Sequence, residues 1–258
     1  LSHFQFFSIF FVEFFFVLSG FVLYPQLKKV YENKENIKIF YLRRWYRTVP
    51  PYIIALLIYS ILFSKFDFDT LKYFFFIQNI SESFTGSQYF YVAWSLAIEE
   101  FFYLIFPLII ITSNNENFIS RAIYVFGGII IIKIFFSYIV DANFFRTGTL
   151  LRFDAILLGF IIAHFKDYLL SKKKLIFISF IFFTSVYLFN SNFFIDGRDV
   201  PYLKFIFILL MQVTSTVVML VFILMEPLIT NKNFRKFSLL ISEQACSIYL
   251  FHMILIYI

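Results

Sequence analysis

The stretch WSLAIEEFFYLIFP, residues 94–107, decides the fold class and contains the first candidate for function. It is a continuous apolar run of helical character, yet it carries two adjacent carboxylates, Glu99 and Glu100. The rest of the chain has the composition of a protein built for lipid, where a buried carboxylate is costly and marks a functional site by default. We therefore ask which partners these carboxylates have.

Composition places the chain in the membrane. The 258 residues are 61% hydrophobic and 15% charged, and the mean hydropathy is +0.83, whereas soluble domains carry about 25% charged residues. The single cysteine, Cys246, excludes an intrachain disulfide and a cysteine-rich metal site. Three scattered histidines lack ligand spacing, so no metal is predicted. The net charge of +6 follows from membrane topology, and we expect no nucleic-acid partner.

Apolar runs of the length needed to cross a bilayer, about 20 residues, recur along the chain. They occupy residues 4–24, 47–63, 91–112, 122–140, 150–165, 175–189, 202–225 and 247–258. A ninth run, 71–80, is too short to cross and is interpreted as interfacial or re-entrant. Both ends of the chain look cut, so we expect a fragment of a longer membrane domain.

The positive charges support this count and set an orientation. With loop 25–47 in the cytoplasm, the inner connections are 25–47, 113–121, 166–174 and 226–246. These inner connections hold 15 of the 22 Lys and Arg residues, and the outer connections hold 5. That bias is the positive-inside pattern of a multi-pass protein. The prediction is an all-α polytopic transmembrane helix bundle with eight to nine visible spans, forming a single domain over residues 1–258.

Ionisable residues within the predicted spans are few, and four of them are expected near the outer side. His3, Glu99, Arg152 and Asp154 can meet in the outer half of the bundle on this topology. Arg152 and Asp154 are two residues apart, so they point to different sides of a helix and each needs a partner elsewhere. The first pair to test is Glu99 with Arg152. Ion pairing across the bundle with a purely structural role is the alternative.

Helix spacing predicts that Glu99, rather than Glu100, faces the interior of the bundle. Ser95, Glu99 and Tyr103 form one polar strip at i, i+4 intervals, and such a strip is expected to point inward. Two other ionisable residues, Lys133 and His164, are expected to snorkel and receive no role.

The histidine His252 can share a face with Tyr249. A packed, hydrogen-bonded histidine is the interpretation favoured for it.

A second cluster lies at the predicted cytoplasmic boundary, in FYLRRWYRTVPPY, residues 40–52. Arg44 and Arg47 are three residues apart and are expected to share a helix face, with Arg43 beside them. Ordinary anchoring is the alternative, but lysine serves that purpose equally well. Arginine is favoured where a planar fork grips phosphate, so a phosphate-bearing cytosolic ligand is predicted here.

Together these stretches resemble the acyltransferase-3 family of integral membrane acyltransferases, which includes O-antigen and peptidoglycan O-acetylases. Residues 12–23 are similar to its FFVLSGF segment, and 40–52 to its Arg-x-x-Arg segment. Residues 94–108 resemble its WSL-x-x-E-x-x-FY-x-x-FP segment, 151–163 its Arg-x-Asp-x-x-x-x-Gly segment, and 247–255 its YL-x-H segment. The stretch LSHF, residues 1–4, looks like the end of the family's first helix and its histidine.

The resemblance implies a ten-helix domain in a bacterial inner membrane that moves an acyl group, usually acetyl, from cytosolic acetyl-CoA to a carbohydrate hydroxyl. The acceptor classes are lipopolysaccharide, capsule, exopolysaccharide and peptidoglycan, and no permanently bound cofactor is implied. Arg43, Arg44 and Arg47 are then the candidates for holding the phosphates of CoA.

For the chemistry itself, the resemblance makes His3 the general base or transient acyl carrier. Arg152 is the candidate for stabilising the oxyanion, and Glu99 is the candidate for orienting or charge-balancing a histidine or Arg152. Asp154 completes the predicted catalytic set.

Two other function classes remain open at this point. A polytopic bundle with internal charges also suits a transporter or flippase of a lipid-linked glycan, although no repeated halves are visible. A non-catalytic membrane scaffold is the third possibility, and it leaves the Arg-x-x-Arg and WSL-x-x-E segments unexplained.

Overall fold

The structure, a computed structural model, describes residues 3–34, 36–80, 90–112, 118–189 and 200–257. Within these ranges all regular structure is helical, which confirms the predicted all-α class. The α-helices are α1 His3–Glu32, α2 Asn36–Leu62, α3 Phe68–Phe74, α4 Ala93–Ile111, α5 Phe118–Ile139, α6 Ala142–Thr147, α7 Phe153–His164, α8 Lys166–Ser171, α9 Lys173–Phe189, α10 Pro201–Met225 and α11 Lys232–Tyr257. Short 3-10 turns, Leu150–Arg152 and Glu226–Leu228, precede α7 and follow α10.

Four of these helices are long and apolar enough to cross a membrane: they lie at Phe7–Glu32, Ala93–Ile111, Phe118–Ile139 and Pro201–Leu228. The other four predicted spans coincide with parts of α2, α7, α9 and α11. Of these, α7 and α9 are shorter, with 12 and 17 residues, while α2 carries several charges. The chain is an integral membrane protein with several spans. The predicted interfacial run 71–80 overlaps α3, whose seven residues are too few to cross.

Two predicted cytoplasmic loops are wrong in their extent. Helix α1 continues to Glu32 and α2 begins at Asn36, so most of the predicted loop 25–47 is helical. Helix α11 likewise starts at Lys232, inside the predicted loop 226–246. Neither helical extension contains glycine, and both contain Lys and Leu, which favour a helix. Pro25, which disfavours a helix, lies inside α1 without ending it.

Helix α1 is the centre of the bundle and packs against α7, α10, α4 and α2, with its most extensive contact on α7. Two glycines make that contact possible. A Cβ atom added at Gly20 overlaps the carbonyl oxygen of Ile156 and lies 2.7 Å from the carbonyl carbon. A Cβ atom added at Gly159 does the same to the carbonyl of Val17. The two helices therefore touch backbone to backbone, as small residues allow in membrane bundles.

The main apolar core lies between α1, α4 and α7, where phenylalanine rings interlock. Phe102 packs on Phe106 at 4.7 Å and edge-on against Phe153 at 5.4 Å between ring centroids. Phe106 in turn meets Phe160 at 5.3 Å. These contacts join α4 to α7, and the Phe16 ring of α1 meets the Trp94 ring of α4 at 5.9 Å. Together they help to set which polar side chains of the three helices can meet.

Candidate functional site

Two separate groups of polar side chains are buried within the bundle. The first, named here the Glu99 cluster, is built from α1, α2 and α4 and consists of Ser19, Arg44, Thr48, Glu99, Glu100 and Tyr103. The second, named the Arg152 network, is built from α1, α5, α10 and the segment at the start of α7, and consists of Glu13, Lys133, Arg152, Asp154 and Gln212. Each group joins residues that are far apart in the chain.

In the Glu99 cluster, each carboxylate has its own hydroxyl donor. The Ser19 hydroxyl donates to Oε1 of Glu99. The Thr48 hydroxyl lies 2.6 Å from Oε1 of Glu100. Both glutamates are buried, at 3% and 6% exposed. Adjacent glutamates on α4 therefore face two neighbouring helices, α1 and α2, and both belong to the site rather than Glu99 alone.

Arg44 is the positive charge of this cluster. It is buried, its guanidinium carbon lies 4.9 Å from the centre of the Tyr103 ring, and its charge acts on both Glu99 and Glu100. Its Nη2 has no hydrogen-bond partner among the residues that the structure describes. This buried N–H group can donate a hydrogen bond to a carbonyl oxygen or an anionic oxygen of a ligand.

The cluster lies deep in the bundle. Ser19, Thr48 and Glu99 each lie twelve or thirteen residues from the predicted cytoplasmic end of their helix. At 1.5 Å per residue this is about 18–20 Å. On the other side, Glu99 is six residues from the start of α4, about 9 Å. Ser19 and Thr48 are 16 and 14 residues from the outer ends of α1 and α2. Glu99 is therefore nearer to the outer end of its helix, while the Glu99 cluster as a whole lies near the middle of the bundle.

In the Arg152 network, two acids face two bases. Nη2 of Arg152 donates to Oε1 of Glu13. Oδ2 of Asp154 accepts from Nζ of Lys133 at 2.5 Å and from Nε2 of Gln212 at 2.8 Å. All five residues are 0–1% exposed. Such pairing offsets the desolvation of buried charges, and it confirms that Arg152 and Asp154 find separate partners.

Several donor and acceptor atoms of the Arg152 network form no hydrogen bond with the described residues. Nε and Nη1 of Arg152, Oε2 of Glu13, Oδ1 of Asp154 and Oε1 of Gln212 have no protein partner within the described ranges. Buried polar atoms are normally hydrogen-bonded, to protein or to ordered water. The network is therefore suited to hold water or a polar group of a substrate.

The predicted pair of Glu99 with Arg152 is wrong. Helix α1 lies between the two residues, and its Phe16 ring is 5.8 Å from the guanidinium carbon of Arg152 and 5.9 Å from the Trp94 ring. Glu99 bonds to Ser19 on one part of α1, while Arg152 bonds to Glu13 on another. Spacing along α4 identified the inward face correctly but could not show that α1 intervenes.

The three candidate phosphate-binding arginines do not lie on one surface. Arg43 and Arg47 are exposed, whereas Arg44 is buried against α4. The expectation that Arg44 and Arg47 share a face is therefore wrong. The buried face of α2 is narrow and follows Arg44, Thr48 and Tyr52 at i, i+4 spacing, so a residue three positions from Arg44 already falls outside it.

His3 begins α1, but its side chain lies outside the part of the chain that the structure describes. Its predicted role stays a prediction.

Sequence reasoning missed several members of both groups. Lys133 was expected to snorkel, but it is 1% exposed and bonded to Asp154. A signal was present, since Lys133 is the one charge in the apolar part of α5 and an isolated charge in a span usually has a partner. The uncharged members Ser19, Thr48 and Gln212 gave no such signal, because similar residues occur throughout membrane helices.

Comparison with known proteins now adds to this geometry. Residues 1–258 match the acyltransferase-3 family model, whose description is an acyltransferase domain. A protein of Staphylococcus aureus (strain COL) provisionally named an O-acetyltransferase is 29% identical over 59% of this chain and 29% of its own length. The peptidoglycan O-acetyltransferase of Listeria monocytogenes serovar 1/2a is 33% identical over 37% of this chain and 18% of its own length.

An uncharacterized protein of Haemophilus influenzae (strain Rd) is 27% identical over 59% of this chain and 73% of its own length. No solved structure matches the chain significantly. The chain thus covers less than a third of the Staphylococcus and Listeria relatives. Because the family model matches the chain from its first residue to its last, the protein belongs to the acyltransferase-3 family.

Proposed function

We propose that this protein is a membrane O-acyltransferase that moves an acetyl group from cytosolic acetyl-CoA to a hydroxyl of a carbohydrate. The observation that carries the proposal is the Glu99 cluster in a chain of the acyltransferase-3 family. That cluster places two carboxylates, and a guanidinium N–H that has no partner among the described residues, deep between α1, α2 and α4. A thioester carbonyl and a hydroxyl are neutral groups that such a site can polarise.

The donor side is the predicted cytoplasmic part of α2. Arg43 and Arg47 are exposed there and are available to the phosphates of CoA, which arginine grips through charge-assisted hydrogen bonds. Arg44 is turned inward on the same helix. In this proposal the exposed arginines hold the nucleotide end of CoA, and Arg44 meets the thioester end of the extended pantetheine arm.

The reaction needs no metal and no redox partner. The acceptor hydroxyl oxygen attacks the thioester carbonyl carbon, the new C–O ester bond forms, and the C–S bond of acetyl-CoA breaks. The hydroxyl proton passes to a base, for which His3 is the residue implied by the family resemblance, and the thiolate leaves as free CoA after protonation. His3 as a transient acyl carrier is the other form of the same proposal.

Two arginines are candidates to stabilise the oxyanion formed in this attack. Arg44 and Arg152 both have guanidinium N–H groups without protein partners among the described residues. Glu13 already balances the charge of Arg152. In our proposal Glu99 therefore balances the charge of Arg44 rather than that of Arg152. Asp154 holds Lys133 and the amide of Gln212, and we assign it the role of fixing the wall of the site.

A carbohydrate acceptor is supported by the Listeria relative, which is named for acting on peptidoglycan. We propose an exported acceptor of the lipopolysaccharide, capsule, exopolysaccharide or peptidoglycan class, met on the outer side of a bacterial inner membrane. The relatives named above all come from bacteria.

The test uses the full-length protein in lipid nanodiscs with radiolabelled acetyl-CoA and each acceptor class in turn. The Arg47→Ala variant is expected to raise the KM for acetyl-CoA by about tenfold to a hundredfold, since a charged hydrogen bond contributes about 1.5–3 kcal/mol. Arg235→Ala is the matched control, because Arg235 is an exposed arginine on the same predicted side, paired with Glu226 at 3.3 Å. Equal KM values for the two variants remove Arg47 from the donor site.

Absence of acetylated product with every acceptor class, while the protein remains folded, overturns the proposed function. If the nanodisc protein instead moves a lipid-linked glycan between leaflets without acetyl-CoA, the transporter alternative is correct.

A further inference from the structure

An arginine joins the short helix α6 to the start of α4. Nη2 of Arg146, in the last turn of α6, donates to Oη of Tyr91 at 2.9 Å. The guanidinium carbon of Arg146 also lies 5.9 Å from the centre of the Trp94 ring, which belongs to the first turn of α4. On the predicted topology α4 starts and α5 ends on the outer side. The contact therefore joins two parts of the chain that both belong to the outer side.

Arg146 is a cation without a paired acid. Its hydrogen bond to Tyr91 is the one that it forms with the described residues, and no described carboxylate lies within ion-pair distance of it. Asp141, the acid of the same connection, accepts from the backbone N–H of Phe144 at the other end of α6. The charge of Arg146 is therefore not balanced, and the rest of its planar fork is available to a carboxylate or a phosphate.

The neighbouring outer cation, Lys204, has a different role. It is 7% exposed, and its Nζ donates to the backbone carbonyl oxygen of Val140 at 2.7 Å, which ties the start of α10 to the end of α5. Arg146 is only half-buried, and Tyr91 is 42% exposed. Arg146 and Tyr91 thus present a cation and an aromatic ring at the outer surface, whereas Lys204 serves the packing of the helices.

Two buried acceptor atoms at the start of α4 favour a carbohydrate as the ligand. The amide nitrogen of Gln78 donates to the backbone carbonyl of Ala93 at 3.2 Å, and that of Asn79 to the carbonyl of Trp94 at 2.8 Å. The amide oxygens of Gln78 and Asn79 have no partner among the described residues, although these residues are 6% and 1% exposed. Sugar hydroxyls are donors that such oxygens can accept from, and the Tyr91 ring offers an apolar surface to the C–H face of a sugar.

We propose that Arg146, Tyr91 and Trp94 form an outer subsite for the acceptor glycan, which binds a carboxylate or phosphate carried by one of its sugar units. The inference rests on the proposed function and narrows its substrate class to acidic carbohydrates. Trp94 lies five residues before Glu99 on α4, about 7.5 Å along the helix, and Arg44 lies further inward. The sugar unit held by Arg146 is therefore not the unit that reacts, and the units that follow it along the glycan extend inward.

The test is glycan binding to the full-length protein in phosphatidylcholine nanodiscs, without acetyl-CoA. The first pair of probes is a tetrasaccharide of alternating glucuronate and N-acetylglucosamine, and the same tetrasaccharide with its carboxylates reduced to alcohols. The second pair is an N-acetylglucosamine tetrasaccharide with and without one phosphate. We expect the wild type to bind the acidic member of at least one pair about tenfold more tightly or better, the usual strength of a hydrogen bond between charged groups. Arg146→Gln should abolish this preference and keep the affinity for the neutral member within about twofold.

Lys65→Gln is the matched control, because Lys65 is an exposed cation on the same predicted side, between α2 and α3. It removes the same unit of charge and should retain the preference. The proposal is overturned if the wild type shows no preference in either pair, a result that needs no variant. It is also overturned if Arg146→Gln and Lys65→Gln weaken the preference equally, or if Arg146→Gln weakens the binding of acidic and neutral probes alike.

A lipid headgroup is the other source of a phosphate for Arg146. If the wild type retains a phosphatidylglycerol that Arg146→Gln loses, and the acidic tetrasaccharides do not displace it, the ligand is the lipid and the proposal is wrong. Acetyl transfer from radiolabelled acetyl-CoA is measured separately. If the wild type prefers the acidic glycan but transfers no acetyl group to any acceptor, the proposed function fails and the glycan subsite stands. If it transfers acetyl groups without any such preference, the subsite fails and the proposed function stands.

Discussion

Replacing Gly159 by alanine tests the link between the helix contact and the buried charges. The added Cβ overlaps the carbonyl oxygen of Val17 and lies 2.7 Å from its carbonyl carbon. Neither atom can move aside, because both belong to the backbone of α1. Ordinary contact begins at 3.4 Å, so α1 and α7 must separate by about 1.5 Å to admit the methyl group.

The size of the effect has two sources. Overpacking of this kind costs about 1–3 kcal/mol in measured cores. The separation also stretches the ion pair of Arg152 with Glu13, which joins the start of α7 to α1, and a broken buried pair costs about 3–5 kcal/mol. At roughly 2–4 °C per kcal/mol for a protein of this size, we expect the melting temperature to fall by about 5 °C or more.

The assay is thermal unfolding of the detergent-solubilised protein, followed by intrinsic fluorescence and by the fraction that stays monodisperse. Gly128→Ala on α5 is the control, because a Cβ there meets nothing within 4 Å and alanine favours a helix over glycine by about 0.5–1 kcal/mol. It should leave the melting temperature unchanged or raise it. The reasoning is refuted if Gly159→Ala melts within 1–2 °C of the wild type, roughly the effect of half a kcal/mol.

Three further outcomes are expected. The double variant of Gly20→Ala with Gly159→Ala should lose clearly less stability than the two single variants lose together. Helices that one methyl group has already separated have room for the second. Melting shifts that add up contradict this prediction. Lys133→Met should lower stability by about 3–5 kcal/mol in the unfolding assay, since it leaves Asp154 buried and unpaired, and adding Asp154→Leu should restore much of the loss. Arg44→Lys should keep the protein folded but reduce acetyl transfer at least about tenfold, since lysine lacks the planar fork; full activity in the lysine variant contradicts the placement of Arg44 in the site.

Charge and hydropathy predicted the class of the fold, because a lipid bilayer admits few backbone structures that satisfy all their hydrogen bonds. Among the described residues, every predicted span coincides with helix. The predicted ends of the spans were wrong where a helix continued beyond the apolar run. The loop 226–246 illustrates this, since α11 begins at Lys232, fifteen residues before the predicted span 247–258. Hydropathy measures what the bilayer requires of a segment and does not measure where the hydrogen-bonded helix stops.

The sequence predicted which charged residues belong to the candidate site better than it predicted which of them pair with each other. Glu99 and Arg152 both proved to be buried and bonded, as intramembrane charges usually are. Their partners depended on the order in which the helices pack. Part of that order is the close contact of α1 with α7, in which Gly20 lies against Ile156 and Gly159 lies against Val17. No periodicity within one helix contains this information, so Glu13 was passed over as the partner of Arg152.

The two buried groups respond differently to an electric field. The Arg152 network contains two acids and two bases, and each ion pair is compact and neutral as a unit, so the work of a transmembrane voltage on its charges nearly cancels. The Glu99 cluster holds two carboxylates against one guanidinium, which leaves one negative charge when all three groups are ionised. Moving one charge across a full 100 mV is worth about 2.3 kcal/mol, and the cluster lies partway through that drop. A membrane potential therefore acts on the net charge of the Glu99 cluster, whereas it does almost no work on the paired charges of the Arg152 network.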